Sequence, residues 1–204
     1  CFSRTMPHLY KLFSTPIIKF EFSKHENYVF DEIPQQDRIP ENWECSVNSS
    51  FPCIEDKDNF LDQKKSKSLQ DDLLTEIKGV FASANLPTNL SFGGSFWYNI
   101  YHEEQFQERH NHINTAIARN LWSGVYYNKN ATPTKFYNPS LLHRVTKPPK
   151  SEETILDDCY HDFFFPSVKD GDVLLFPSTL DHEAQPTNSK SMRLTFSFNL
   201  NILY

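Results

Sequence analysis

Two histidines placed two residues apart are the first side chains in this sequence that could do chemistry. In ERHNHINTAIARNLWSGVYYN, His110 and His112 flank Asn111 at the head of an apolar segment rich in β-formers. Alternate residues of a strand share a face, so the two imidazoles would project together. Neutral imidazoles so placed can clasp one metal ion at about 2.0–2.1 Å each. Two ligands do not complete a site, and the candidate for the third is His182, in FPSTLDHEAQ. Arg193 follows on a strand that folds back past that histidine, and its planar fork suits a carboxylate. Thr195, two residues further along, faces the same way and can add a hydroxyl.

Taken alone, the His110/His112 pair reads more readily as polar residues hydrogen-bonded at a sheet edge. For Arg193 the lesser alternative is a salt-bridged arginine at the rim of the core. The order of all four residues is what favours a metal. His8, His25, His102, His143 and His161 have no comparable partnership and are read as surface or internally satisfied histidines. Asp181, Glu108 and Glu104 are the carboxylates that could join the ligand set, and they rank behind His112.

The elements that must position these residues follow from periodicity. IIKFEF, within residues 7–23, alternates as an early strand. Residues 24–66 are polar and proline-bearing and read as a long loop. One helix stands out in SLQDDLLTEIKGVFASANL. Leu69, Leu73, Leu74, Ile77, Val80 and Phe81 form a stripe that should pack on a sheet, with Ser68 as N-cap. From residue 90 onward the pattern is strands: SFWYNIY, WSGVYYN, TKFYN, DFFFPS, DVLLFPS and RLTFSFNLNILY. Asp170-Gly171 is the clearest hairpin turn among them. An early helix followed by many short strands, with no interleaved helices, argues against a parallel βαβ sheet. The expected fold is mainly β with flanking helices (α+β), an antiparallel sandwich or a jelly-roll, cupin-like barrel. The Phe163-Phe164-Phe165 run is read as core. Trp122 and Tyr126 are read as packing residues that could also line a pocket.

Composition bounds the rest. A chain of 204 residues is expected to form a single domain, 1–204. Residues 6–90 would support a β core over 91–204, with CFSRT ahead of Met6 set aside. Such a chain removes roughly 70% of its unfolded surface from water, so it needs no disulfide or metal to hold a core. Eighteen Phe and nine Tyr against five Gly favour sheet. The net charge of −6 argues against a non-specific grip on nucleic acid, which is carried by basic residues. Cys1, Cys45, Cys53 and Cys159 show no metal spacing and read as free thiols of a cytoplasmic protein. No apolar run is long enough to span a membrane and no signal peptide opens the chain. Arg144, Lys147 and Lys150 form a small basic cluster read as a solvated loop.

One resemblance gathers these pieces. The ordered set His110-x-His112, SGVYY (Ser123–Tyr127), FPS (Phe176–Ser178), His182, Arg193-x-Thr195 and SFN (Ser197–Asn199) resembles the iron(II)- and 2-oxoglutarate-dependent oxygenases. More narrowly, it is similar to an oxygenase group found in bacteria and their phages. The resemblance spans about residues 95–200. It implies a double-stranded β-helix with Fe(II) at one mouth, held by His110, His112 and His182. 2-Oxoglutarate would chelate the iron as co-substrate, its far carboxylate meeting Arg193. By the offsets of related alkylated-base dioxygenases, Asn99 and Tyr101 of WYNIY would also contact it. The implied reaction is hydroxylation of a substrate with oxidative decarboxylation to succinate, in the cytoplasm of the host if phage-encoded. The wider superfamily carries a carboxylate where this chain has His112, which leaves the site one negative charge short. Two rival readings follow: a metal-binding jelly roll without turnover, and a three-histidine cupin-type dioxygenase that uses no 2-oxoglutarate.

Overall fold

The structure is a computed structural model that describes residues 15–30, 44, 47–51, 63–92, 96–113, 120–140, 161–186 and 190–203. The four cysteines and the basic cluster at 144–150 lie outside them.

Two antiparallel sheets carry the site. The larger has seven strands: β1 (Ile18–Glu21), β2 (Asn48–Ser49), β3 (Leu90–Ser91), β4 (Phe96–Tyr101), β6 (Asn120–Lys129), β9 (Asp172–Pro177) and β11 (Arg193–Ile202). They run in the order β1-β9-β6-β11-β4-β2, with β3 also paired to β11. The smaller joins β5 (Gln107–His110), β10 (His182–Ala184), β7 (Thr134–Tyr137) and β8 (Phe163–Phe164), in the order β5-β10-β7-β8. The described residues are thus mainly β, with one α-helix, α1 (Gln63–Ser83), and a single 3-10 turn at His25–Tyr28.

Period-two alternation sorts the large sheet into two faces. On β11, Leu194, Phe196, Phe198 and Leu200 face the helix and join one core cluster with Leu69, Leu73, Ile77 and Phe81 of α1. All four of those helix residues are wholly buried. The opposite face of β11 carries Arg193, Thr195, Ser197 and Asn199, each buried although polar. A second cluster fills the space between the sheets, where Phe136 of β7 meets Phe176 of β9 with ring centroids 4.9 Å apart.

The helix begins at Gln63, so Ser68 is an interior residue and not its cap. The added QKKSK turn is a run of good helix formers with no apolar stripe, so periodicity did not reveal it. Asp170-Gly171 does form a turn, with Gly171 at φ +92°. It is not a hairpin turn, because β8 before it and β9 after it lie in different sheets. The Phe163–Phe165 run is not core: the three rings are 46, 56 and 42% exposed. Their strand is a two-residue edge of the smaller sheet, with no neighbour on its far side among the described strands. Tyr126 is buried in the helix-side core, and Trp122 packs on Phe81 with ring centroids 5.3 Å apart.

Candidate metal and co-substrate site

Strand pairing brings the three histidines together. In the β5–β10 ladder His110 lies opposite His182. His112 stands just past the end of β5, where its backbone N–H donates to the Ser178 carbonyl at 2.9 Å. The ring centroids are 4.3 Å apart for His110–His182, 5.0 Å for His112–His182 and 5.3 Å for His110–His112. Among the described residues these three are the one group of three or more potential metal ligands, with ligand atoms within 4.8 Å of one another.

Arg109 and Asn111, which alternate with the histidines, point the other way and hold the strand ends together. Arg109 donates to the Asp181 carboxylate from Nε at 2.9 Å and Nη2 at 2.6 Å, and Asn111 donates at 2.8 Å. Burial pushes the Asp181 carboxyl up, but the Asn111 and Arg109 hydrogen bonds outweigh it and keep the group below its ordinary value. That carboxylate is therefore occupied, and the convergent group contains no acid.

Each imidazole has its tautomer set by an oxygen on Nδ1. His110 Nδ1 lies 2.8 Å from the Glu108 carbonyl and His182 Nδ1 2.9 Å from the Leu180 carbonyl. His112 Nδ1 lies 2.5 Å from Asn199 Oδ1. A carbonyl only accepts, so Nδ1 carries the hydrogen and Nε2 keeps its lone pair. Burial lowers the pKa of all three, His112 to about 4 and His182 well below its ordinary value. Three neutral, pre-oriented nitrogen donors fit a divalent transition ion.

Arg193 closes the far side of the same cavity. It is 2% exposed, and its guanidinium carbon lies over the ring of Tyr101, its cross-strand partner, 3.8 Å from the ring centroid. Nη1 donates to the Gln185 carbonyl at 2.9 Å, while Nε and Nη2 are buried with no acceptor. Burial lowers the Arg193 pKa, with Tyr101 and Tyr127 acting in the opposite direction. Thr195 and Tyr101 also line the cavity. Asn99 does not. Its Oδ1 accepts from Ser49 at 2.7 Å, and its Nδ2 donates to Ser197 at 3.2 Å. Trp97 is a wall residue that the spacing of polar side chains did not single out. Its indole N–H is buried without an acceptor, and its ring lies 5.8 Å from that of His112.

Ser123, Ser178 and Asn199 also lacked a role in the sequence reading. They come from SGVYY, FPS and SFN; Ser123 and Asn199 meet at His112 Nδ1, and Ser178 stands behind Ser123. Ser123 Oγ lies 2.9 Å from that nitrogen, 2.8 Å from Ser178 Oγ and 2.8 Å from Asn199 Oδ1. The signal for Asn199 was available in the polar stripe 193/195/197/199 on an otherwise apolar strand.

Antiparallel sheets around convergent imidazoles and a buried arginine define a β protein whose cavity has the donors to hold a metal ion. The chain belongs to the family described as "Putative 2OG-Fe(II) oxygenase", whose model matches residues 95–199. That is an oxidoreductase family, with iron(II) as its metal and 2-oxoglutarate as its co-substrate. No curated protein matches the sequence significantly. Among solved structures, the chain is similar to HygX from Streptomyces hygroscopicus with nickel and 2-oxoglutarate bound. That match has 13% identity, covers 93% of this chain and 84% of that one, and has a TM-score of 0.56. HygX with hygromycin B also bound aligns over the same shares, with a TM-score of 0.54. An oxidoreductase of the 2OG-Fe(II) oxygenase family from Burkholderia pseudomallei aligns at 11% identity, with a TM-score of 0.37. This last alignment covers 53% of the present chain and 42% of the other. At 13% identity the likeness to HygX is one of fold. No helix among the described residues is long and apolar enough to cross a membrane.

Proposed function

We propose that the chain is an Fe(II)- and 2-oxoglutarate-dependent dioxygenase that hydroxylates a substrate C–H bond, its two sheets forming the walls of a double-stranded β-helix. Overall, substrate C–H, dioxygen and 2-oxoglutarate give C–OH, succinate and carbon dioxide. His110, His112 and His182 hold the iron through Nε2. Arg193 receives the far carboxylate of 2-oxoglutarate on Nε and Nη2, with Thr195 adding a hydroxyl and the Tyr101 ring packed against the guanidinium. Asn99 enters this reading as a support of the β4–β11 wall. Iron(II), when bound, supplies the dioxygen chemistry that amino-acid side chains lack. The protein's part is to orient, to neutralise the co-substrate and to exclude water.

One observation supports this reading above the others: a buried arginine with two unsatisfied donors shares a cavity with three neutral imidazoles. Leaving charged donors without acceptors is costly, and a dianionic keto acid removes that cost on binding. The test is anaerobic titration of Fe(II) and then 2-oxoglutarate, followed by oxygen addition and a succinate assay. Arg193→Ala is expected to weaken 2-oxoglutarate binding by roughly 100-fold or more while leaving metal affinity within a few-fold. Because no carboxylate stands in the triad, a three-histidine dioxygenase is the competing reading. It predicts oxygen uptake with no succinate and no response to Arg193→Ala.

A further inference from the structure

We infer that Asn199 is the positioning residue of this site. It presents His112 to the metal, and its neutral amide leaves His112 without the negative charge that the ligand position elsewhere in the superfamily carries. This inference rests on the metal reading above.

His112 is held differently from the other two histidines. His110 and His182 each give their Nδ1 hydrogen to the carbonyl of the residue two before them, so the turn of the chain itself fixes those rings. His112 has no such local carbonyl. Its Nδ1 reaches across to β11 and meets the Asn199 amide oxygen at 2.5 Å, the shortest contact in the cluster. Asn199 is 7% exposed, Ser123 0% and Ser178 1%, so water does not compete for these groups. Ser123 Oγ can donate to Asn199 Oδ1 at 2.8 Å while Ser178 Oγ donates to Ser123 at 2.8 Å. Two donors, Ser123 and His112, thus converge on a single oxygen. An oxygen held from one side by a hydroxyl relay and backed by strand β11 is fixed in place, and so is the imidazole that donates to it.

Everything in this relay is uncharged. A carboxylate at position 199 would be nearly the same shape and would draw the Nδ1 hydrogen towards itself. Nε2 would then become more basic, and one negative charge would return to the site a single residue beyond the ligand. An apolar side chain at 199 would leave Nδ1–H without its acceptor and the ring free to turn. The two substitutions should therefore move metal binding in opposite directions, which a purely structural role for Asn199 would not do.

The experiment measures Co(II) affinity of the full chain by anaerobic titration, with the Fe(III)/Fe(II) potential of the iron-loaded protein as the second readout. Asn199→Asp is expected to tighten Co(II) binding about 10-fold or more and to lower the potential. Asn199→Leu is expected to weaken binding by about 10–100-fold, and Ser123→Ala by less. Circular dichroism of each metal-free variant checks folding. If Asn199→Leu does not fold, Asn199→Asp alone decides. Unchanged affinity and potential in Asn199→Asp, with wild-type protein binding Co(II), would overturn the inference and leave the metal reading intact. Wild-type protein that binds no Co(II) would overturn both.

Discussion

Individual histidines in this protein are kept uncharged by burial, and that has a measurable consequence for the metal-free chain. Desolvation lowers His110 and His182 and takes His112 to about 4. Between the unfolded value near 6.5 and these depressed values, the unfolded chain binds protons that the native chain refuses. Stability is therefore undiminished above pH 6.5 and falls as the pH drops towards 4. His112 alone contributes about 3 kcal/mol to that fall by its lower end. We expect the unfolding temperature of the metal-free protein to decline steadily from pH 7 to pH 4.5, and the decline to shrink in His112→Asn. A flat profile would mean that the ring is solvated. The flanking residues divide their labour by parity. His110 and His112 face the cavity, while Arg109 and Asn111 clamp Asp181, so a four-residue stretch both builds the site and fastens its strand.

Among the elements, β6 shows most directly how packing sets a residue type. Gly124 sits on the helix-facing side, opposite Phe198 of β11. A β-carbon there would collide with the Phe198 ring and come within 3.0 Å of Leu175. Phe198 cannot yield freely, because Phe92 and Phe96 pack on it with ring centroids 5.1 and 6.0 Å away. Gly124→Ala should destabilise the fold by about 1–3 kcal/mol through overpacking, seen as a lower unfolding temperature. Metal affinity should stay within a few-fold, since the substitution falls on the face away from the histidines. A larger loss of metal than of stability would show that the two faces of β6 are coupled.

At the scale of the whole molecule, the three histidines straddle the two sheets. His110 and His182 belong to the smaller sheet. His112 is fastened to the larger through Asn199 and Ser123. An ion bound by all three links the layers and stabilises the native state only. At a free metal concentration 100 times its Kd, the gain is about 2.7 kcal/mol. For a chain of this size that corresponds to roughly 5–10 °C in unfolding temperature, reversed by a chelator. Replacing His182 with Ala should abolish the shift. A shift that survived would place the ion elsewhere.

The sequence by itself determined the faces. Period-two alternation named the strands around the site, and a 3.6-residue stripe named the helix that covers their far side. The order of His110, His112, His182 and Arg193 pointed to the cavity they share, because residue type and parity are local properties. Tertiary structure decided everything that depends on which strand lies beside which. It placed His112 beyond the end of β5, put Asp170-Gly171 between two sheets, and left Phe163–Phe165 exposed on a short edge. It also turned Asn99 towards Ser49 and Ser197, and drew Ser123 and Asn199 onto one imidazole nitrogen, with Ser178 behind Ser123. Register between strands far apart in sequence is fixed by packing and pairing summed over both sheets. No short stretch of the chain carries that sum.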